Sequence, residues 1–86
     1  MKNMEPITSL VLMNVKENAD INEIAKKLLK IDEIVEVYSV AGIYDLVIKV
    51  KVKEYGSLSE VVPEKMRSIE GIKETITMPC FKTYRL

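Results

Sequence analysis

The chain has 86 residues with 13 basic and 13 acidic side chains, no histidine and a single cysteine, Cys80. That length is typical of one domain. Because the charges balance, the chain lacks the excess of basic residues expected of a nucleic-acid binder. A single cysteine cannot form an internal disulfide, and without histidine the chain is predicted to have no metal site. No apolar run is long enough to span a membrane and no signal-peptide pattern is found, so a cytoplasmic protein is expected.

The first predicted elements are a strand over residues 7–15 and a helix that begins near Asp20. Apolar residues stand on both sides of the strand: Ile7, Val11, Met13 and Val15 on one, Leu10 and Leu12 on the other. The helix carries apolar residues at helical spacing: Ile21, Ile24, Ala25, Leu28 and Leu29. Asp20 precedes Glu23 by three residues, the spacing of a reciprocal capping box that satisfies backbone donors at a helix start.

Two further strands are predicted, one over residues 34–41 and one over residues 44–52. The first is rich in valine, and the second alternates apolar and polar residues. This alternation places one set of side chains on a common face: Tyr44, Leu46, Ile48, Val50 and Val52. Gly42 marks the hairpin between the two strands.

A second helix is predicted over residues 58–69, because the capping pattern returns with Ser57 three residues before Glu60. Pro63 falls inside this helix, where it lacks the N–H of a helical hydrogen bond, so the helix should be kinked or should start later. Gly71 lies just past the end, where a left-handed cap suits glycine.

A fourth strand is predicted over residues 73–80, and Pro79 indicates an edge position. The order of elements predicts an α+β, ferredoxin-like βαββαβ fold, with two helices on one face of a four-stranded antiparallel sheet and a single domain over residues 1–86. Apolar residues are also expected outside the helix-covered face: Leu10, Leu12, Val35, Val37 and Val47. Such an exposed apolar face predicts at least a homodimer.

The segment around Gly42 carries the most specific chemistry of the chain. Gly42 permits a positive φ, and Asp45 at a strand start requires solvent, a backbone turn contact or a cationic partner. Thr75 and Thr77 share one face of the last strand. Turn chemistry and strand propensity account for these residues without any ligand. Alternatively, loop N–H groups, the Asp45 carboxylate and the two hydroxyls recognise a small zwitterion.

Residues 40–50, VAGIYDLVIKV, and residues 69–77, IEGIKETIT, resemble the ligand-sensing RAM domain of the Lrp/AsnC family of leucine-responsive regulators. The resemblance implies a module that binds amino acids between dimers and assembles into rings of dimers. By this resemblance Gly42, Tyr44 and Asp45 line the effector pocket, and Thr75 and Thr77 contribute to it.

The residues before the first strand leave no room for the N-terminal helix-turn-helix domain of full regulators, so a stand-alone sensing domain is expected. Such a module affects transcription through a partner, for instance by co-assembling with a full-length Lrp/AsnC-type regulator, and not by direct contact with nucleic acid. Ala41 stands where many relatives have threonine or serine, which removes one hydroxyl from the pocket.

Two other functions remain open on the residues alone. A dimeric α+β barrel enzyme has the same topology, but no histidine or carboxylate pair is available to set the pKa of a tyrosine, and we therefore expect no catalytic residues and no enzyme. No cofactor is expected either. The second alternative is a purely structural assembly module.

Overall fold

The computed structural model describes residues 6–86, which contain four strands and two helical segments. The strands are β1 (Ile7–Val15), β2 (Ile34–Ser39), β3 (Leu46–Val52) and β4 (Ile72–Pro79). Helix α1 spans Ile21–Leu28. The second helical segment is divided into a 3₁₀ turn (Tyr55–Ser57), one α turn (Leu58–Glu60) and a π turn (Val61–Met66).

The four strands form one antiparallel sheet in the order β2-β3-β1-β4. Strand β1 pairs with both β3 and β4, and β3 pairs with both β1 and β2. Strands β1 and β3 are therefore central, and β4 lies at an edge. Both helical segments pack on the same face. The predicted ferredoxin-like fold and the edge position of the last strand are therefore confirmed.

The core lies between the sheet and the helical segments. It is built from alternate residues of the central strands and from the inner faces of the helices: Val11, Met13, Leu46, Ile48, Val50, Val52, Ile24, Leu28, Leu58, Val61, Val62 and Met66. Leu29 is instead 54% exposed, because α1 ends at Leu28 and the chain turns away there. The prediction that Leu29 faces inward is wrong.

The opposite face of the sheet, called the open face below, carries a row of apolar side chains across all four strands. Tyr38 of β2 is paired with Val47, Val47 with Leu12, and Leu12 with Ile76 of β4. Leu10 and Met78 form the adjacent pair. Tyr38, Ile76 and Met78 are 47%, 45% and 41% exposed.

The register of β2 corrects one residue of the predicted open face. An irregularity in the pairing of β2 with β3 falls between Ile34 and Glu36. Beyond it, Val37 packs against the core, while Val35 remains 45% exposed. The prediction placed Val35 and Val37 on the same uncovered face, which a regular strand would do, and the irregularity separates them.

Half of the predicted capping box is found at the start of α1. The Asp20 carboxylate accepts hydrogen bonds from the backbone N–H groups of Asn22 and Glu23, at 3.0 and 3.3 Å. The Glu23 side chain does not reciprocate, because it forms an ion pair with Lys26 at 3.6 Å. The helix therefore has a single side-chain cap.

The predicted cap of the second helical segment is wrong. Ser57 has helical dihedral angles, φ −65° and ψ −22°, and makes no capping hydrogen bond. The 3₁₀ turn that begins at Tyr55 places Ser57 inside the segment already.

Pro63 falls in the π turn, and the predicted irregularity is confirmed. Proline has no N–H to donate, and its ring collides with the carbonyl of residue i−4 in a regular α-helix. A wider turn relieves that collision, and the Arg67 N–H accordingly donates to the carbonyl of Val62 at 2.9 Å.

An ion pair joins the second helical segment to the connection before β2. Lys65 Nζ lies 3.1 Å from both carboxylate oxygens of Glu33. The hydrogen bond from Lys65 lowers the pKa of Glu33 below its ordinary value of 4.5. Because the carboxylate is favoured in the folded state, the pair stabilises the protein above that value and ceases to do so as the pH falls through the lowered pKa.

At about pH 6 we expect the free energy of unfolding of the wild type to exceed that of Lys65→Met by at most about 1 kcal/mol. The difference is small because the side chains of Lys65 and Glu33 are both partly solvated. Urea unfolding at several pH values measures the difference, which should shrink as the pH falls below 4.5 and through the lowered pKa of Glu33. If the difference in the free energy of unfolding is as large at acidic pH, the substitution acts through packing of the aliphatic part of Lys65 and not through the ion pair.

Candidate functional site

The loop between β2 and β3 holds three of the five predicted site residues. Gly42 is exposed and has φ +149°, a conformation that residues with side chains rarely adopt. Apart from its chain neighbours, no atom of residues 6–86 lies within 4 Å of the place where its Cβ would stand. The backbone at Gly42 is therefore open to a ligand or a neighbouring subunit.

Asp45 fixes the end of this loop to two strands. Its N–H donates to the carbonyl of Met13 at 3.0 Å, and its own carbonyl accepts from the N–H of Val40 at 3.0 Å. Its carboxylate atom Oδ2 accepts from the N–H of Val15 at 2.9 Å. The sequence left open solvent, a backbone turn contact or a cationic partner for Asp45. The structure shows a backbone contact, but to Val15 of β1 and not within the turn.

The second carboxylate oxygen of Asp45, Oδ1, makes no hydrogen bond to any residue in the range 6–86. The side chain is half-buried, so its position is fixed without being closed off from solvent. Tyr44, directly before it, is also half-buried. The loop thus presents an exposed backbone and one positioned anionic oxygen.

Thr75 and Thr77 lie elsewhere on the sheet. They are paired with Met13 and Val11 of β1, whose side chains are buried, and so they belong to the helix-covered face. Met13 separates Thr75 from Leu46 of β3, which is roughly 10 Å for two strand spacings. Within one chain, the central strand β1 therefore lies between these threonines and the strand that follows the Gly42 loop.

Three residues at the end of β1 and the start of β4 were missed from the sequence. Val15 supplies the amide that holds Asp45. Asn14 is paired with Glu74, and its Nδ2 lies 3.5 Å from Glu74 Oε1. Two carboxylates therefore flank the end of β1, one from the loop before β3 and one from β4. Only the strand register, which the sequence does not specify, could have identified these residues.

The candidate loop is an open surface in a single chain. A cavity of about 450 Å³ lies where the β1–α1 connection meets Gly71, and none of the predicted site residues lines it.

Across residues 6–86, no helix has both the length and the apolar character needed to cross a membrane. In the same range, no three metal-ligating side chains are grouped together.

Comparison with known protein families gives one match over nearly the whole chain. The family described as the Lrp/AsnC ligand binding domain matches residues 8–85. The chain belongs to the Lrp/AsnC family. The resemblance inferred from the segments around Gly42 and Gly71 is thereby confirmed.

Among curated members of the Lrp/AsnC family, the chain is similar to the HTH-type transcriptional regulator FL11 of Pyrococcus furiosus, with 38% identity over 79 residues. The match covers 92% of this chain and 51% of FL11. The chain therefore spans about half the length of that relative.

Solved structures share the fold of this chain. The chain is similar to TTHA0845 from Thermus thermophilus, with a TM-score of 0.85, 34% identity and coverage of 93% of this chain and 99% of that one. The transcriptional regulator NMB0573 of Neisseria meningitidis, solved as a complex with L-Met, shares the fold at a TM-score of 0.84 and 15% identity. That match covers 93% of this chain and 53% of the regulator.

Proposed function

We propose that this chain is an effector-binding and assembly module that takes an amino acid or a related small metabolite at the Gly42 loop. The observation that carries the proposal is the hydrogen bond from the Val15 amide to Asp45, which fixes a carboxylate beside an exposed glycine backbone. The family match supports a ligand-binding role.

A free amino acid complements this arrangement. Its ammonium group would meet Asp45 Oδ1, and its carboxylate would meet the backbone N–H groups around Gly42. Tyr44 would supply an apolar ring beside them. The L-Met complex of NMB0573 shows that a protein of this fold binds an amino acid, although at 15% identity it supports only the class of ligand.

A second copy would complete the site, because one chain offers only one wall of it. Thr75 and Thr77 are half-buried on the edge strand, roughly 10 Å or more from the Gly42 loop of their own chain. In the proposal, the threonines that contribute to an effector pocket belong to a neighbouring chain. A ligand held between chains would stabilise the assembly by mass action.

The open face would form the homodimer that precedes higher assembly. Its central row of Tyr38, Val47, Leu12 and Ile76 runs the full width of the sheet. An apolar surface of that extent is unusual on a soluble monomer. A two-fold contact would place the same row of each copy against the other.

The module would act in the cytoplasm without catalysis and without contacting DNA itself. TTHA0845, of which 99% is covered, shows that a chain of about this extent occurs among the structural relatives. One route to the regulation of transcription would be mixed assembly with a full-length Lrp/AsnC-type regulator. Co-expression with such a regulator should yield mixed oligomers, and strictly separate oligomers would contradict this step.

A thermal-shift screen against the common amino acids, with oligomer mass followed by light scattering, tests the effector role. At least one amino acid should raise the melting temperature and should also tighten or enlarge the assembly. If no amino acid or related metabolite stabilises the protein, the effector role is wrong and the structural alternative replaces it.

A further inference from the structure

Two residues of opposite charge flank the central row of the open face where that row crosses β3. Asp45 lies two residues before Val47, in the loop that leads into β3, and Lys49 lies two residues after it. Val47 belongs to the central row, and Lys49 is on the same face because strand residues alternate. Asp45 and Lys49 are therefore placed symmetrically about the row, roughly 13 Å apart along the chain.

Both charges can accept a partner from another chain. The Oδ2 atom of Asp45 accepts from the N–H of Val15, and its Oδ1 atom has no hydrogen bond within residues 6–86. Lys49 is half-buried and makes no ion pair in that range, although Glu36 is its cross-strand neighbour. The Glu36 carboxylate instead accepts a hydrogen bond from the hydroxyl of Tyr38.

A two-fold axis can place the central row of one copy against the same row of another in two ways. If the axis runs along the row, each strand lies over its own equivalent in the reverse direction, and Lys49 faces the Asp45 position of the other copy. If the axis runs parallel to the strands, β1 lies over β3, and Lys49 faces Leu10. Charge complementarity favours the first arrangement, because the second covers the Lys49 ammonium group with an apolar side chain.

We propose that the open-face homodimer has the first, antiparallel arrangement, in which Lys49 of each copy pairs with Asp45 of the other. This inference rests on the homodimer of the proposed function. Stacked sheets are about 10 Å apart, a gap that the four-carbon stem of lysine and the aspartate side chain span together. The two ion pairs lie on opposite sides of the apolar row and thereby fix its orientation.

The same contact brings a second chain to the proposed effector site. An amino acid between the two charges would direct its ammonium group to Asp45 and its carboxylate to Lys49 of the other copy. The ligand would then bridge the two chains and stabilise the dimer by mass action.

A charge exchange between two chains tests the ion pairs. Lys49→Glu and Asp45→Lys should each weaken dimerisation at least about tenfold, because like charges meet in both contacts. A mixture of the two variants should form mixed dimers, in which both contacts join opposite charges. Lys30→Glu, at an exposed lysine after α1, is the control and should dimerise as the wild type does.

Light scattering measures the mass and circular dichroism checks folding. Variants that dimerise alone like the wild type, or folded variants that do not combine, would overturn the proposal. A wild type with the mass of a single chain would contradict the homodimer itself, which separates the two failures.

Cross-linking distinguishes the two orientations while leaving Asp45 and Lys49 in place. With Cys80→Ser as background, a Leu10→Cys chain and an Asn14→Cys chain should be joined by a short thiol reagent, because these positions face each other only in the antiparallel arrangement. The pair Met78→Cys and Glu36→Cys faces each other only in the alternative and should not be joined. The reverse pattern, or a dimer in which neither pair is joined, would show that the antiparallel contact is wrong.

Discussion

Leu12→Glu is expected to break the proposed homodimer, with the mass in solution falling to that of a single chain. Leu12 is in the centre of the open face, paired with Val47 on one side and Ile76 on the other. In a two-fold contact each copy would bury one glutamate close to its equivalent. An unpaired buried carboxylate costs several kcal/mol, which exceeds what the lost apolar contact alone would remove.

The matched control is Leu29→Glu. Leu29 is 54% exposed at the end of α1 and does not belong to the open face, so the same substitution should leave the mass unchanged. Light scattering gives the mass, and circular dichroism checks that both variants are folded. A folded Leu12→Glu variant that retains the wild-type mass would show that the open face is not the interface.

Gly71→Ala is expected to destabilise the domain by about 2 kcal/mol, which lowers the melting temperature by about 10 °C at this chain length. Gly71 has φ +101°, and an added Cβ would lie 3.0 Å from Ile24 Cδ1 and 3.2 Å from Ala19 Cβ. Its carbonyl also accepts from the N–H of Lys16 at 2.7 Å. Strain at Gly71 would therefore reach both α1 and the end of β1.

Gly56→Ala provides the control for this effect. Among the described residues, no atom beyond the local backbone and the chain neighbours of Gly56 lies within 4 Å of a Cβ placed there. We expect a change within about 0.5 kcal/mol there, as for an ordinary surface substitution. Chemical unfolding of both variants measures the difference, and equal stabilities would show that the backbone at Gly71 relaxes without cost.

The order and type of the elements could be predicted because they depend on local patterns. The Asp20 cap shows this, since a single side chain and the two N–H groups after it define the helix start. Ser57 has the same spacing to a glutamate, yet the preceding 3₁₀ turn gives it a different role. A capping pattern does not encode the turn that precedes it, and for Ser57 that turn determines that the residue is not a cap.

One part of the candidate site could likewise be predicted from the sequence, and another part could not. Gly42, Tyr44 and Asp45 fall within the short segment 42–45, so the sequence could identify them as parts of one loop. The partner of Asp45 is Val15, 30 residues away, and that contact depends on the pairing of β1 with β3. Strand alternation placed Thr75 and Thr77 on one face, but their distance from the loop follows from the strand order.

The proposed role of Asp45 is to bind the ammonium group of an amino acid, and the decisive experiment is calorimetric titration of Asp45→Asn with the amino acid that stabilises the wild type. Asparagine keeps an oxygen to accept from the Val15 amide, so the loop should stay in place while the charge is removed. Asp32→Asn, at an exposed aspartate between α1 and β2, is the control. We predict at least a roughly tenfold loss of affinity for Asp45→Asn and none for the control. Equal affinity in wild type and Asp45→Asn would contradict this role.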